Sequence, residues 1–234
     1  MAASGFPSSA LLPQRPISLD QYDLYNTLDA PIHGLIRKVV VRGENLTALL
    51  PARHRHAAIM SYTIYDASIV AAKHLLTALQ GIITKAEAHP EAASFPDRRL
   101  APDMLPLSFQ IWSVCAVAEA QALTLQQKEA ARKEYEEDPL PTYATMRARI
   151  EQVLAFLDTV DRDAAVEAAT KTTIIDFKRA VGKKELTGAA FCAGAGIPNM
   201  YFHAIIAFAI LRNAGVELGK LDYLGPFFMA NIGM

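Results

Sequence analysis

From Leu186 to Leu211 the chain runs LTGAAFCAGAGIPNMYFHAIIAFAIL, twenty-six residues without a charged side chain. If the second half is helical, Asn199 and His203, four apart, lie on one face of an otherwise apolar rod. A helix apolar nearly all round is buried in a protein core or in a membrane, and a polar pair inside it needs partners or a task. The run is long enough to span a bilayer. Gly188, Gly194, Gly196, Pro198, Asn199 and His203 reduce its gain on transfer to lipid, and no Lys/Arg pattern flanks it. We therefore expect a buried core helix and no membrane partner.

At 234 residues the chain suits one well-filled domain with an appendage. With 23 basic and 24 acidic side chains the net charge is −1, which offers no field for nucleic acid. Two cysteines, Cys115 and Cys192, stand outside any disulfide framework or zinc-ligand spacing, which fits a reducing, cytoplasmic setting. Residues 1–59 hold Pro7, Pro13, Pro16, Pro31 and Pro51 and keep no single period. They are expected to form a poorly ordered N-terminal extension, with the basic cluster Arg53-His54-Arg55-His56 as a solvated tether and Met60 as an alternative start. The folded domain is expected over 60–234.

Beyond Met60 the apolar period becomes helical. Ile69, Ala72, Leu76, Leu79 and Ile83 predict a helix over about 65–88 with His74 turned to solvent. Leu107, Ile111, Val114, Ala118, Ala122 and Leu125 predict a second, running into the charged segment KEAARKEYEEDP as a solvated end. A third follows Pro141, with Met146, Ile150, Val153, Leu154 and Leu157 inward. The period then shortens to two around Thr173 to Phe177 and Gly182 to Leu186, which predicts a small hairpin or extended crossover. The last helix, about 187–213, is capped by Gly215. The fold class expected is all-α, a four-helix bundle with the hairpin before its last helix, and that helix its most buried member. The apolar tail, Tyr223 to Met234, is expected to pack on the bundle or on a second copy.

The segments from Ser61 to Leu224, above all LAPDM (Leu100 to Met104) and PNxYFH (Pro198 to His203), resemble a fungal and bacterial domain-of-unknown-function family, numbered nineteen ninety-three. It is grouped with the DinB/YfiT-like four-helix bundles. The resemblance implies a DinB-like bundle that in the wider superfamily holds a metal on three histidines from two helices, and some relatives are found among genes of secondary metabolism. His203 and Asn199 match the histidine and asparagine of PNxYFH. Three positions depart from the pattern: Gly194 stands where a histidine is expected, Ala116-Val117 where an Asp-His step is common, and Asn213 where a histidine follows the arginine of the last helix. No cofactor is therefore expected, and a divalent metal is doubtful.

His203 is the candidate catalytic residue, because an imidazole in an apolar pocket can take or give a proton near neutral pH. Asn199, Tyr201, Gln110 and Trp112 are candidate substrate-binding residues for an aromatic or polyketide-like ligand. Each has an ordinary packing alternative. A set of His203, Glu119 and Cys115 is the one conceivable metal grouping, although Glu119 also fits an outer face. Asp103 before Leu105-Pro106 reads as a helix N-cap. Gly194-Ala195-Gly196 lacks the strand and the Lys-Ser/Thr of a phosphate loop. Two functions follow: a small enzyme tailoring a hydrophobic metabolite by proton transfer, or a non-catalytic ligand-binding or dimerisation bundle. The partners expected are a small molecule and, as a candidate, a second copy of the chain.

Overall fold

The computed structural model describes residues 62–128, 134–135, 139–177 and 182–233, so the expectations for residues 1–59 lie outside the described residues. Helix α1 spans Asp66–Glu87. Thr63 opens it: its backbone N–H and its hydroxyl both reach Asp66 Oδ2 at 2.8 Å. The carboxylate thus sits in the first turn, where the helix dipole favours a negative charge. Helix α2 is Leu107–Leu125 and α3 is Tyr143–Leu157. A short α4, Arg162–Ala168, follows, with Asp161 Oδ1 capping Ala164 N–H at 2.8 Å. Strands β1 (Thr172–Asp176) and β2 (Lys183–Thr187) pair antiparallel, Ile174 opposite Glu185, and Gly182 takes φ +67° in the turn. Helix α5 is Gly188–Asn213 and α6 is Lys220–Ile232.

α1, α3, α2 and α5 close a bundle in that cyclic order. Lys73 pairs with Asp158 at 2.7 Å and Glu87 with Arg147 at 2.6 Å, so the start of α1 meets the end of α3 and the two run antiparallel. The fold is the predicted all-α bundle with a hairpin before its last bundle helix. α5 ends as Gly215 implied: at φ +93° it turns the chain, its N–H bonds Arg212 O at 3.2 Å, and Val216 N–H bonds Leu211 O at 3.1 Å. That pair of bonds is the Schellman arrangement, which an L side chain at Gly215 would strain.

Four expectations are corrected. The most buried helix is α2, with fifteen of nineteen residues buried, and not α5, whose Phe202 is 54% exposed. α2 is enclosed because α3, α5, α4 and the first turn of α1 all pack around it, whereas α5 occupies a corner with one face outward. α2 also stops at Leu125, before the charged segment, through a left-handed residue at Gln127, φ +55°. Asp103 is exposed and caps nothing; the first N–H groups of α2, on Leu107 and Ser108, go to the carbonyls of Arg98 (2.9 Å) and Pro96 (3.0 Å). His74 is half-buried, because α6 lies across that face of α1 and brings Phe227 to a ring distance of 5.4 Å. Short α4 left no sequence period and was not anticipated.

The tail from Tyr223 therefore packs on the bundle, as part of α6. Asp222 accepts from Gly219 N–H and from Lys85 of α1, both at 2.7 Å. Both α1 and α5 have the length and apolarity of a membrane span, and in α1 56% of the window is buried inside the protein.

Candidate functional site

α2 and α5 lie side by side and bring Gln110, 2% exposed, to His203. Gln110 Nε2 donates to the carbonyl of Leu105 at 2.8 Å, and that carbonyl can only accept. The other end of the amide, Oε1, is 2.7 Å from His203 Nδ1 and must accept. The chain of two bonds assigns the proton to Nδ1 and the ring's basic lone pair to Nε2. Around the imidazole, Phe202 and Phe109 stand edge-on at ring distances of 5.3 and 5.8 Å. Phe109 packs in turn on Trp112 at 5.6 Å and on Tyr135 at 5.2 Å, and the Tyr135 hydroxyl meets Ser108 Oγ at 2.8 Å.

Beside this cluster α2, the start of α5 and the hairpin enclose a groove of about 1100 Å³. Val117 and Ala120 form its floor on α2, Ile175 and Phe177 its hairpin wall, and Asn199 and Phe202 its α5 wall. The hairpin supplies that wall with Thr173 to Phe177 and Lys183, the charged Asp176 and Lys183 among them; strand alternation half-buries Thr173, Ile175 and Phe177 while Ile174 stays 68% exposed.

The predicted residues thus separate. Gln110 contacts His203 directly, and Trp112, 3% exposed, packs on Phe109, which packs on the imidazole. Asn199 is exposed on the groove wall one turn from His203. Phe202 lies in the groove wall and against the imidazole, which itself does not line the groove. Tyr201 faces the other flank of α5, 6.5 Å from Phe227 of α6, where burial and then Tyr62 push its phenol pKa up. Sequence reasoning missed Phe109, Tyr135 and the hairpin wall. Phe109 adjoins Gln110, but nothing local marks residues 93 apart as neighbours.

A second polar cluster lies deeper, where α1 and α5 each open into a π turn, Asp66–Val70 and Cys192–Gly196, and the turns touch. Burial pushes the Cys192 thiol up to about 12, against a hydrogen bond with Ser68, so it remains protonated and is no nucleophile. Gln121, fully buried, leaves Oε1 without a hydrogen-bond partner and offers Nε2 only to Met200 Sδ at 3.8 Å.

Among the described residues the donors do not fit the three-histidine metal site that the resemblance implies. Among the described residues no three His, Cys, Asp or Glu side chains converge. His74 packs on Phe227, His89 on Phe95 and His203 on Gln110, each on a different element. Glu119 is taken up by Arg149 of α3 at 2.6 Å, which removes it from the His203 and Cys115 grouping.

A four-helix bundle with a hairpin crossover and a groove against its last bundle helix defines a DinB-like helical protein. The crystal structure of a DinB family member protein from Shewanella denitrificans superposes with a TM-score of 0.60 at 34% identity, covering 69% of this chain and 91% of that one. The model of the family described as Domain of unknown function (DUF1993) matches residues 64–224, and the chain belongs to that family. No match was found among curated proteins.

Proposed function

We propose that this protein binds a small hydrophobic metabolite in the groove between α2, α5 and the hairpin, and that His203 moves a proton at that ligand. The observation that carries the reading is the Leu105–Gln110–His203 chain, which fixes one tautomer of an imidazole one turn from the groove residue Asn199. Any half-buried imidazole needs a partner for its N–H; this one also holds the ring in a single orientation, as a general base requires. Gln110 is then a positioning residue, Asn199 a hydrogen-bonding partner for a ligand carbonyl or hydroxyl, and Phe202 the ring that turns between groove and imidazole. A cytoplasmic location suits this role.

The test is a thermal-shift and turnover screen of aromatic and polyketide-like metabolites. For a ligand found, Asn199→Ala is expected to weaken binding about tenfold, the scale of one lost hydrogen bond. His203→Ala is expected to keep binding and lose turnover by about 10²–10⁴-fold. Gln110→Glu should shift the pH profile upward, because a carboxylate at Nδ1 favours the imidazolium. Full turnover in His203→Ala would remove the proton-transfer role. One observation favours a second reading, binding without chemistry: Phe202 stands in the wall between His203 and the groove. Tight binding with no product in wild type selects it.

A further inference from the structure

Helix α5 presents Pro198, Phe202 and Ile205 to the outside, three or four residues apart and without a charge among them, with the half-buried Ala209 next in the same stripe. Phe202 and Ile205 are 54% and 46% exposed. Next to it α6, which touches α5 through Phe227 and Tyr201, turns Leu221, Met229 and Ile232 outward at 62%, 69% and 63% exposure. A fully exposed side chain of this size offers roughly 200 Å², so these five leave on the order of 600 Å² of apolar surface open. A soluble monomer rarely exposes a contiguous apolar patch above a few hundred Å².

We propose that the outward faces of α5 and α6 form a homodimer interface, on which a second copy of this chain closes the mouth of the groove at Phe202. Three observations favour a second copy. The half-buried neighbours Leu224 and Phe228 carry the patch toward the roughly 800 Å² per partner that a stable dimer buries. A two-fold contact sets each stripe against its own kind, and uncharged stripes meet without stranding an ion. A face built for lipid carries a basic border, whereas α5 and α6 hold only Arg212 and Lys220 as cations, both at the turn between them. Phe202 and the exposed Pro198 belong both to this face and to the groove wall, with the exposed Asn199 beside them on the wall, so the partner would complete the groove. The dimer itself does not depend on the proposed ligand; only its effect on the groove rests on that reading.

Sedimentation equilibrium of the full chain without ligand tests it, alongside Ile205→Glu and Met229→Glu. Wild type is expected at twice the chain mass of 25.5 kDa and each variant at that mass, with wild-type circular dichroism because both sites are at the surface. Should one variant fail to fold, Leu221→Ser supplies the same comparison. Phe202→Trp reports on the groove mouth: its added emission is expected to be blue-shifted in the dimer and to move red when combined with Ile205→Glu. A wild-type monomer at about 100 μM overturns the interface, as does a dimer that both glutamates leave intact. Monomer that co-sediments with neutral phosphatidylcholine vesicles would assign the face to lipid and overturn it too. An unshifted Phe202→Trp signal would remove the second copy from the groove mouth.

Discussion

At the residue scale the contact that most limits substitution is between Gly196 and Gln121. A Cβ on Gly196 would stand 2.7 Å from Gln121 Cγ and Cδ, inside van der Waals contact, and Gln121 is fully buried with little room to retreat. Gly196→Ala is expected to cost about 1–3 kcal/mol in chemical denaturation. Gln121→Met removes the orphaned amide acceptor at similar volume and is expected to be neutral or stabilising by about 1 kcal/mol. In the Gln121→Ala background the cost of Gly196→Ala should fall by at least half, since the two side chains compete for one space; additive costs would show that the clash is relieved by backbone movement. In the sequence Gly196 stood out as one of the residues that lower the gain of this apolar run on transfer to lipid. Its actual partner, 75 residues away on α2, left no local trace.

At the element scale α6 is held by docking rather than by helix propensity. Gly225 and Pro226 sit mid-helix, none of its residues is fully buried, and its hold on α1 runs through Asp222 and Phe227. The Gly219 N–H bond, then the Lys85 ammonium, keep the Asp222 carboxyl below the usual carboxylate range. A group so depressed stabilises the fold above its unfolded value near 4 and loses that contribution as pH falls through the lower folded value. Burial first, then Lys73, hold the His74 imidazole below its ordinary 6.5. Its unfolded form therefore takes up a proton first, and stability declines as pH drops through the ordinary 6.5 toward the lower folded value. The melting temperature should fall in two acid steps, His74→Phe removing the upper and Asp222→Asn shrinking the lower, to which the depressed Asp66 carboxyl also contributes. An unchanged upper step in His74→Phe would place the sensitive group elsewhere. His74 looked solvent-facing in sequence because the period of α1 shows only its inward stripe. What covers the other side was written 150 residues later, in the tail.

At the scale of the whole molecule the groove depends on the hairpin, which adds a wall to the bundle without entering its core. Replacing residues 173–186 by a Gly/Ser linker is expected to leave the helical circular dichroism nearly unchanged and to abolish ligand binding. Loss of the helical signal would show that the hairpin is structural. The all-α class, the four bundle helices, the hairpin before α5 and the Gly215 cap were legible in the chain, and so was the family, through LAPDM and PNxYFH. These depend on period, turn chemistry and local motif, which adjacent residues determine among themselves. Which helix is central, which face of α5 stays open, that Gln110 orients His203 while Tyr201 turns away, and that Glu119 belongs to Arg149 were decided only by tertiary packing. An apolar stripe records that a face is covered but carries no address for what covers it, and pairings across the bundle are chosen by the geometry of whole helices against one another.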